Sequence, residues 1–167
     1  MRPRYLEIAG LQSFRGSQAI DFDKLSETGL FGIFGPTGSG KSTVLDAVTL
    51  ALYGEVHRAV SGTQGIINTN ENSVKVTFVF DLLKENVRKT YKVERVYNKK
   101  KNSENSCEAK IARLIEVHET GEVPLADKPR EVTGKVEELL GLQHSDFTRA
   151  VVLPQNKFQE FLLMKNA

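Results

Sequence analysis

A glycine-rich stretch of eight residues limits the folds open to this chain more than any other part of its sequence. Residues 35–42 read Gly35-Pro36-Thr37-Gly38-Ser39-Gly40-Lys41-Ser42. They match the P-loop pattern G-x-x-x-x-G-K-[ST] at every fixed position. Glycines let the backbone curl so that its N–H groups point inward at phosphate oxygens. The stretch therefore predicts a loop that binds a nucleoside triphosphate together with Mg²⁺.

The segments on either side fit a strand, loop and helix. Residues 29–34 form a short apolar run that is typical of a buried strand. Residues 42–53 predict a helix that ends at Gly54. Its predicted apolar face consists of Leu45, Val48, Ala51 and Leu52. This context favours a P-loop over the alternative, a glycine-rich turn that matches the pattern by chance.

The motif assigns a role to each residue at the start of that helix. The helix directs its N-terminal partial charge at the site that the loop N–H groups face. Lys41 is predicted to reach the β- and γ-phosphates, and the Ser42 hydroxyl to ligate Mg²⁺. Thr43 is predicted to donate to the α-phosphate.

Length and composition set broader limits. At 167 residues the chain is about one domain, and a net charge of +2 is too small to indicate nucleic-acid binding by itself. Cys107 is the one cysteine, which excludes an internal disulfide and is compatible with a reducing compartment. The sequence has no bilayer-spanning apolar stretch and no apolar signal core after Met1. We expect a cytoplasmic protein.

The rest of the chain predicts mostly antiparallel strands. Residues 5–11 and 18–22 form a hairpin-like pair before the P-loop, whereas nucleotide kinases and small GTPases begin with the P-loop strand. Three alternating runs follow and predict a half-solvated meander, with a mobile loop at residues 99–106. The runs are residues 74–81, 87–97 and 109–117.

The C-terminal third predicts helices. Residues 129–140 have a helical apolar pattern and stop at Gly141. A second helix is predicted for residues 146–153, ended by Pro154. Another begins at Lys157, and we expect the natural chain to continue it beyond Ala167.

Half of a working ATP site is not evident in the sequence. The best candidate for the acidic Mg²⁺ residue is Asp81, after the apolar residues 78–80. We reject it because the strand alternates with Lys75 and Thr77, whereas a central parallel strand is apolar on both faces. Asp81 is instead predicted to be a solvated aspartate that ends a hairpin strand. The base-reading and switch motifs of GTPases are absent as well.

Taken together, three blocks of sequence resemble the N-terminal lobe of SbcC-type ATPases, ABC-type enzymes of DNA double-strand-break processing. They are the P-loop block at residues 29–54, the block Leu153-Pro154-Gln155-Asn156-Lys157-Phe158-Gln159-Glu160-Phe161-Leu162, and the turn Ser13-Phe14-Arg15. The resemblance implies an α/β P-loop NTPase fold with an antiparallel β-subdomain. It implies an N-terminal lobe of an ABC-type ATPase head at residues 1–156 and the root of a coiled coil at residues 157–167.

The same resemblance implies ligands and contacts. Gln155 becomes a Mg²⁺ or γ-phosphate contact that acts with Ser42, although without the resemblance it would be an ordinary loop residue. The implied contacts to ATP and Mg²⁺ are Ser13, Phe14, Arg15, Gly35, Pro36, Thr37, Gly38, Ser39, Gly40, Lys41, Ser42, Thr43 and Gln155. Asn156 departs from the family, which usually has glycine there, but asparagine tolerates left-handed backbone.

The implied partners complete the site. They are a C-terminal lobe of the same protein with the catalytic glutamate, a second head that dimerises on ATP binding, an SbcD-like metallonuclease and double-stranded DNA, in the nucleoid-associated cytoplasm and away from membranes. The implied function is ATP-controlled cleavage of DNA ends and hairpins in repair and recombination, and we expect the fragment alone to be inactive. The alternative is a chromosome-organising or RecF-like clamp ATPase without a nuclease. A free-standing kinase is disfavoured because neither an arginine-rich lid nor an acceptor site is evident.

Two further basic features have open roles. The run from Arg88 to Lys101 is interpreted as a solvated hairpin face rather than a DNA contact, because glutamates are interspersed. His57 and Arg58 follow the first helix and either approach the base or lie in a solvated loop.

Overall fold

The secondary structure is mainly β, with a few helices. The computed structural model describes residues 1–25, 30–84, 86–101 and 103–152. Its strands are β1 Arg2–Ala9, β2 Gln18–Asp21, β3 Ser73–Lys84, β4 Val87–Lys100, β5 Ser103–His118 and β6 Gly121–Ala126. Its helices are α1 Phe22–Leu25, α2 Lys41–Tyr53, α3 Pro129–Leu140 and α4 His144–Phe147, followed by a π-helical stretch at Thr148–Val152.

The six strands form one antiparallel sheet in the order β2-β1-β3-β4-β5-β6. Strands β3 to β6 follow one another as hairpins, which confirms the predicted meander. The antiparallel β-subdomain is therefore what the described strands build. The parallel core sheet expected of an α/β NTPase is not among them.

One face of the sheet carries the hydrophobic core. Alternation along each strand places a continuous row of apolar side chains across all six strands, because successive residues point to opposite faces. The row runs through Ile20, Leu6, Phe78, Val93, Leu114 and Ala126. Helices α2 and α3 pack on this face and contact each other. This packing fixes α2, whose first turn forms the candidate site.

The opposite face is polar and held by ion pairs. Lys75 lies 3.6 Å from the Glu7 carboxylate, and Lys92 lies 2.6 Å from that of Glu122 on β6. Such pairs at the surface each contribute little to stability. Their charged groups nevertheless make this face hydrophilic, so it remains solvated. The half-solvated sheet predicted from alternation is confirmed.

Three predictions about the hairpins and helices need correction. The sequence predicts a mobile loop at residues 99–106, but β4 and β5 remain paired out to Lys100 and Ser103. Backbone ladders need no apolar side chains, so the polar composition hid the length of this hairpin. The chain that follows the turn after β5 forms the edge strand β6, which the sequence does not predict. The helix predicted for residues 146–153 begins earlier, at His144, and continues as a π-helical stretch.

The apolar run before the P-loop is not a buried strand. Residues 30–34 have no regular secondary structure, and the side chains of Leu30 and Phe34 are 82% and 92% exposed. Phe31 packs on Phe22, with ring centroids 5.4 Å apart. The described sheet does not extend to this run, so its apolar side chains are not buried against it. Leu45 on α2 is also exposed, contrary to the predicted apolar face.

No helix among residues 1–25, 30–84, 86–101 and 103–152 is both long and apolar enough to cross a membrane.

Candidate nucleotide-binding site

The predicted P-loop ends in a tight left-handed turn at Gly40. Gly40 is the N-cap of α2, with φ 91° and ψ 9°. A Cβ atom built at this position would lie 3.0 Å from Cζ of Phe14. Glycine is therefore required by the backbone conformation and by the ring packed against it. The Phe14 ring therefore packs against the loop at Gly40.

Lys41 folds back over the loop that precedes it. Its Nζ donates to the carbonyl oxygens of Gly35 and Pro36, each at 2.7 Å. The N–H of Ser39 donates to the Pro36 carbonyl oxygen at 3.2 Å and closes a turn within the loop. The ammonium group therefore lies at the loop itself, where a phosphate held by loop N–H groups would meet it.

A pocket of about 370 Å³ opens in front of the first turn of α2. The helix supplies N–H groups that have no intrahelical acceptor, and its first turn carries no acidic residue. Positive potential and free donors are what an anion needs, so this pocket fits the phosphates of a nucleotide. It is lined by Gln12, Ser13, Thr37, Gly38, Gly40, Lys41, Ser42, Thr43 and Arg58.

Gln12, which lies shortly after the end of β1, links two residues that line the pocket. Its backbone is left-handed, with φ 47°. Its Oε1 accepts from Thr43 Oγ1 at 3.1 Å and from Arg58 Nη2 at 3.3 Å. Since Thr43 has one hydroxyl hydrogen, this bond competes with the predicted donation to the α-phosphate. Sequence reasoning missed Gln12, although it directly precedes the predicted contact Ser13.

Arg58 lies at the rim of the pocket and is held there by Asp46. The Asp46 carboxylate is buried on α2 and accepts two hydrogen bonds from the Arg58 guanidinium. The same guanidinium bonds Gln12, so one positive group is fixed beside the pocket by two partners. Arg58 thus lines the pocket, whereas its predicted approach to the base stays a prediction.

Most of the predicted contacts cluster around this pocket, although their roles stay predictions. Ser13, Thr37, Gly38, Gly40, Lys41, Ser42 and Thr43 line it, and Gly35, Pro36, Ser39 and Phe14 build the loop behind it. Arg15 is not among the residues that line it. Its Nε lies 3.8 Å from a Glu71 carboxylate oxygen instead. Gln155 and the predicted boundary at residue 156 lie outside the described residues.

Asp81 serves the sheet rather than a metal. The residue is 3% exposed on β3, where it accepts from Arg4 Nη1 at 3.1 Å and from Thr90 Oγ1 at 2.8 Å. Our rejection of Asp81 as the acidic Mg²⁺ residue agrees with this, since it is committed to an ion pair in an antiparallel strand. The prediction that it is solvated was wrong, because Arg4 from the neighbouring strand covers it.

The basic run on β4 is largely paired within the protein. Lys89 lies 3.0 Å from the Glu116 carboxylate, and Lys99 Nζ donates to the Thr69 carbonyl oxygen at 3.1 Å. Lys92 is paired with Glu122 as described above, and Arg95 is buried in the core. The lysine pairings favour the solvated hairpin face over a phosphate-binding surface, but that interpretation was wrong for Arg95, which is 1% exposed.

Comparison with known proteins agrees with the P-loop geometry. A family model described as "AAA domain" matches residues 5–167. This chain belongs to the AAA-domain family. Membership implies ATP binding, which is the function that the loop, Lys41 and the first turn of α2 fit.

Individual relatives give a narrower relation. The chain is 55% identical, over its whole length, to SbcC of the nuclease SbcCD from Bacillus subtilis (strain 168). It is 44% identical to SbcC from Clostridium acetobutylicum over 99% of the chain, and 36% identical to the "Probable DNA double-strand break repair Rad50 ATPase" of Aquifex aeolicus over 97%. The chain is therefore homologous to the N-terminal ATPase region of SbcC and Rad50 proteins, which confirms the resemblance noted from sequence. It spans about 14–15% of the length of these relatives.

Proposed function

We propose that this chain is the ATP-binding half of an SbcC-like ATPase head. With a C-terminal lobe and an SbcD-like nuclease, it performs ATP-controlled cleavage of double-stranded DNA ends and hairpins. The observation that carries the proposal is the pocket at the first turn of α2, which Lys41 and Ser42 line together with the loop residues Thr37, Gly38 and Gly40. The names of its relatives, components of a nuclease and a double-strand-break repair ATPase, support the DNA context.

The proposed division of labour follows from the donors in the pocket. Lys41 and the loop N–H groups bind the phosphates, and Arg58 adds a second positive charge at the rim. Ser42 and Gln155 hold Mg²⁺, which would neutralise phosphate charge during hydrolysis. Two heads closing on ATP then control access of DNA to the nuclease, as a switch whose closed state the nucleotide favours.

Two features support the proposal that another lobe completes the site. The acidic residue best placed in sequence, Asp81, is committed to Arg4 and Thr90. The apolar run just before the loop is largely exposed, and an exposed apolar patch of this kind commonly marks an interaction surface. A C-terminal lobe that covers this run would bring its acidic residues close to Lys41 and Ser42.

The decisive experiment is titration of the full-length protein with a fluorescent Mg-ATP analogue. Lys41→Ala should abolish measurable binding while circular dichroism remains unchanged, because the substitution removes the ammonium group without altering the sheet. Lys128→Ala is the matched control, an exposed lysine at the start of α3 whose loss should leave the affinity unchanged. Equal affinity of wild type and Lys41→Ala would refute the assignment.

The nuclease partner needs a separate test. Purification of the full-length tagged protein from cells should co-purify a metallonuclease. Recovery of the ATPase with intact ATP binding and no nuclease would instead favour the chromosome-organising or RecF-like alternative.

A further inference from the structure

The C-terminal end of α2, opposite the pocket, is enclosed by side chains from β4 and α3. The last carbonyl groups of a helix have no intrahelical partner and must find other donors when buried. At this end of α2, the carbonyl oxygens of its last three residues and of its cap Gly54 each lie within hydrogen-bond distance of a side-chain donor, although the Thr133 hydroxyl is shared with the Pro129 carbonyl oxygen at 3.1 Å. The bonds are Arg95 Nε to Ala51 at 2.8 Å, Arg95 Nη2 to Leu52 at 3.1 Å, Thr133 Oγ1 to Tyr53 at 3.2 Å and Tyr97 Oη to Gly54 at 3.2 Å.

Arg95 is the central donor and is almost completely buried. It is 1% exposed, and burial lowers the pKa of its guanidinium from the ordinary value. Its hydrogen-bond partners include two helix carbonyls and the Thr133 hydroxyl, at 3.0 Å from Nη2, and the Tyr97 side chain opposes the lowering of its pKa. A helix C-terminus carries partial negative charge, and the last turn of α2 has no basic residue of its own. The helix end therefore acts as the counter-charge of Arg95.

The fit between Arg95 and the helix end is close. Gly54 ends α2 with φ 77°, and a Cβ atom built there would lie 2.9 Å from Arg95 Nη1 and 3.0 Å from Tyr97 Oη. Movement of α2 along its axis would break the bonds to Ala51 and Leu52 or press Gly54 into the guanidinium. The position of the helix along its axis is thus fixed at this end.

We propose that Arg95 is a positioning residue for nucleotide binding, acting through α2 from the end opposite the pocket. The 13-residue helix is about 20 Å long, and its first turn supplies Gly40, Lys41 and Ser42 to the pocket. Since a helix is stiff along its axis, holding one end sets the place of the other. Thr133 on α3 accepts from the same guanidinium. A displacement of α3 would therefore move Arg95, and through Arg95 and α2 it would alter the pocket. The inference rests on the proposed function of that pocket.

The test compares substitutions of Arg95 with a matched substitution on the same strand. Arg95→Met keeps the length of the side chain and removes its donors, whereas Arg95→Lys keeps the charge and loses the planar fork. Arg88→Met is the control, because Arg88 is exposed on β4. Affinity for the fluorescent Mg-ATP analogue is measured on the full-length protein, at a temperature where circular dichroism shows every variant folded.

We expect Arg95→Met to weaken binding roughly tenfold, within the usual range of coupling between distant sites, with Arg95→Lys between it and wild type. Hydrogen exchange without nucleotide should be faster in Arg95→Met at the backbone amides of residues 44–47, the first that are bonded within α2, and unchanged in β1. Arg88→Met should match wild type in both measurements. If Arg95→Met fails to fold, Arg95→Lys and Thr133→Val provide the same two measurements with smaller effects.

A lower melting temperature alone would not support the inference, since loss of a buried cap destabilises the fold in any case. Variants that melt earlier but keep wild-type affinity and wild-type exchange at residues 44–47 would overturn it, leaving Arg95 as a structural cap. Absence of Mg-ATP binding by wild type would instead refute the proposed function. The exchange measurement without nucleotide would still decide whether Arg95 positions the first turn.

Discussion

At the scale of single residues, Gly40 is the position on which the shape of the pocket most directly depends. Gly40→Ala should destabilise the protein by about 1–2 kcal/mol, because alanine disfavours positive φ and its Cβ would press on the Phe14 ring. ATP affinity should fall as well, since the first turn of α2 starts at this residue. Thermal unfolding and titration with the ATP analogue measure the two effects.

Gly134 provides the control for this substitution. It lies within α3, and a Cβ atom built there has no atom within 4 Å. Gly134→Ala should therefore raise stability by about 0.5–1 kcal/mol and leave ATP affinity unchanged. If the two alanine variants behaved alike, the left-handed turn at Gly40 would not matter to the pocket.

His144 makes stability depend on pH. Burial lowers its pKa, with a further lowering from His57 and an opposing effect of the Glu55 carboxylate. Because the folded state resists protonation, its full stability is present above the ordinary pKa of about 6.5 and is lost as the pH falls through the lowered value. The melting temperature should fall between roughly pH 7 and pH 5, and less steeply in His144→Gln.

The wild-type protein, melted over the same pH range, is the reference for His144→Gln. An unchanged slope in His144→Gln would assign the acid sensitivity to other groups, such as carboxylates that titrate below about pH 5.

At the scale of elements, residues 30–34 form an apolar segment whose side chains are largely exposed. Phe34→Ser should change the stability of the isolated chain by less than about 0.5 kcal/mol, because the side chain is exposed. In the full-length protein the same substitution should reduce ATPase activity, since we propose that a second lobe packs on this segment. Denaturant unfolding of the chain and turnover by the full-length protein test the two parts.

A substitution of the buried Phe78 is the control for Phe34→Ser. This residue is buried in the row that crosses all six strands, so Phe78→Ala should cost about 3–5 kcal/mol in the isolated chain. Full activity of the Phe34→Ser full-length protein would contradict the proposed packing of a lobe on residues 30–34.

At the scale of the whole molecule, the described residues that line the pocket include no aspartate or glutamate. We expect the isolated chain to bind ATP weakly and to turn it over negligibly. Adding the C-terminal lobe of the same protein should restore hydrolysis, because we propose that this lobe supplies the acidic residues that would hold Mg²⁺ and orient water. Phosphate release under multiple turnover, with and without the added lobe, gives the answer.

The control for that reconstitution is the same mixture with Lys41→Ala, which should remain inactive. Efficient turnover by the isolated wild-type chain would mean that this chain carries a complete site, contrary to the proposed division between two lobes.

The local patterns in the sequence determined the elements that depend on neighbouring residues. The glycine pattern and the helix after it predicted the turn at Gly40 and the end of α2 at Gly54, because left-handed caps need glycine wherever they occur. The alternation of apolar and polar residues with a period of two predicted the meander and its solvated face. Similarity over the whole chain then confirmed the family that the P-loop block had indicated.

Tertiary structure alone decided which polar residues are buried and which apolar ones are not. Arg95 follows Tyr91 and Val93 at a spacing of two, which puts it on the core face of β4, yet its charge predicted a surface residue. Only the helix end packed on β4 supplies the carbonyls that make its burial favourable. Likewise Asp81 is buried because Arg4 lies on the adjacent strand, and residues 30–34 are exposed because the described sheet does not reach them. Burial depends on partners far away in sequence, and no local pattern contains them.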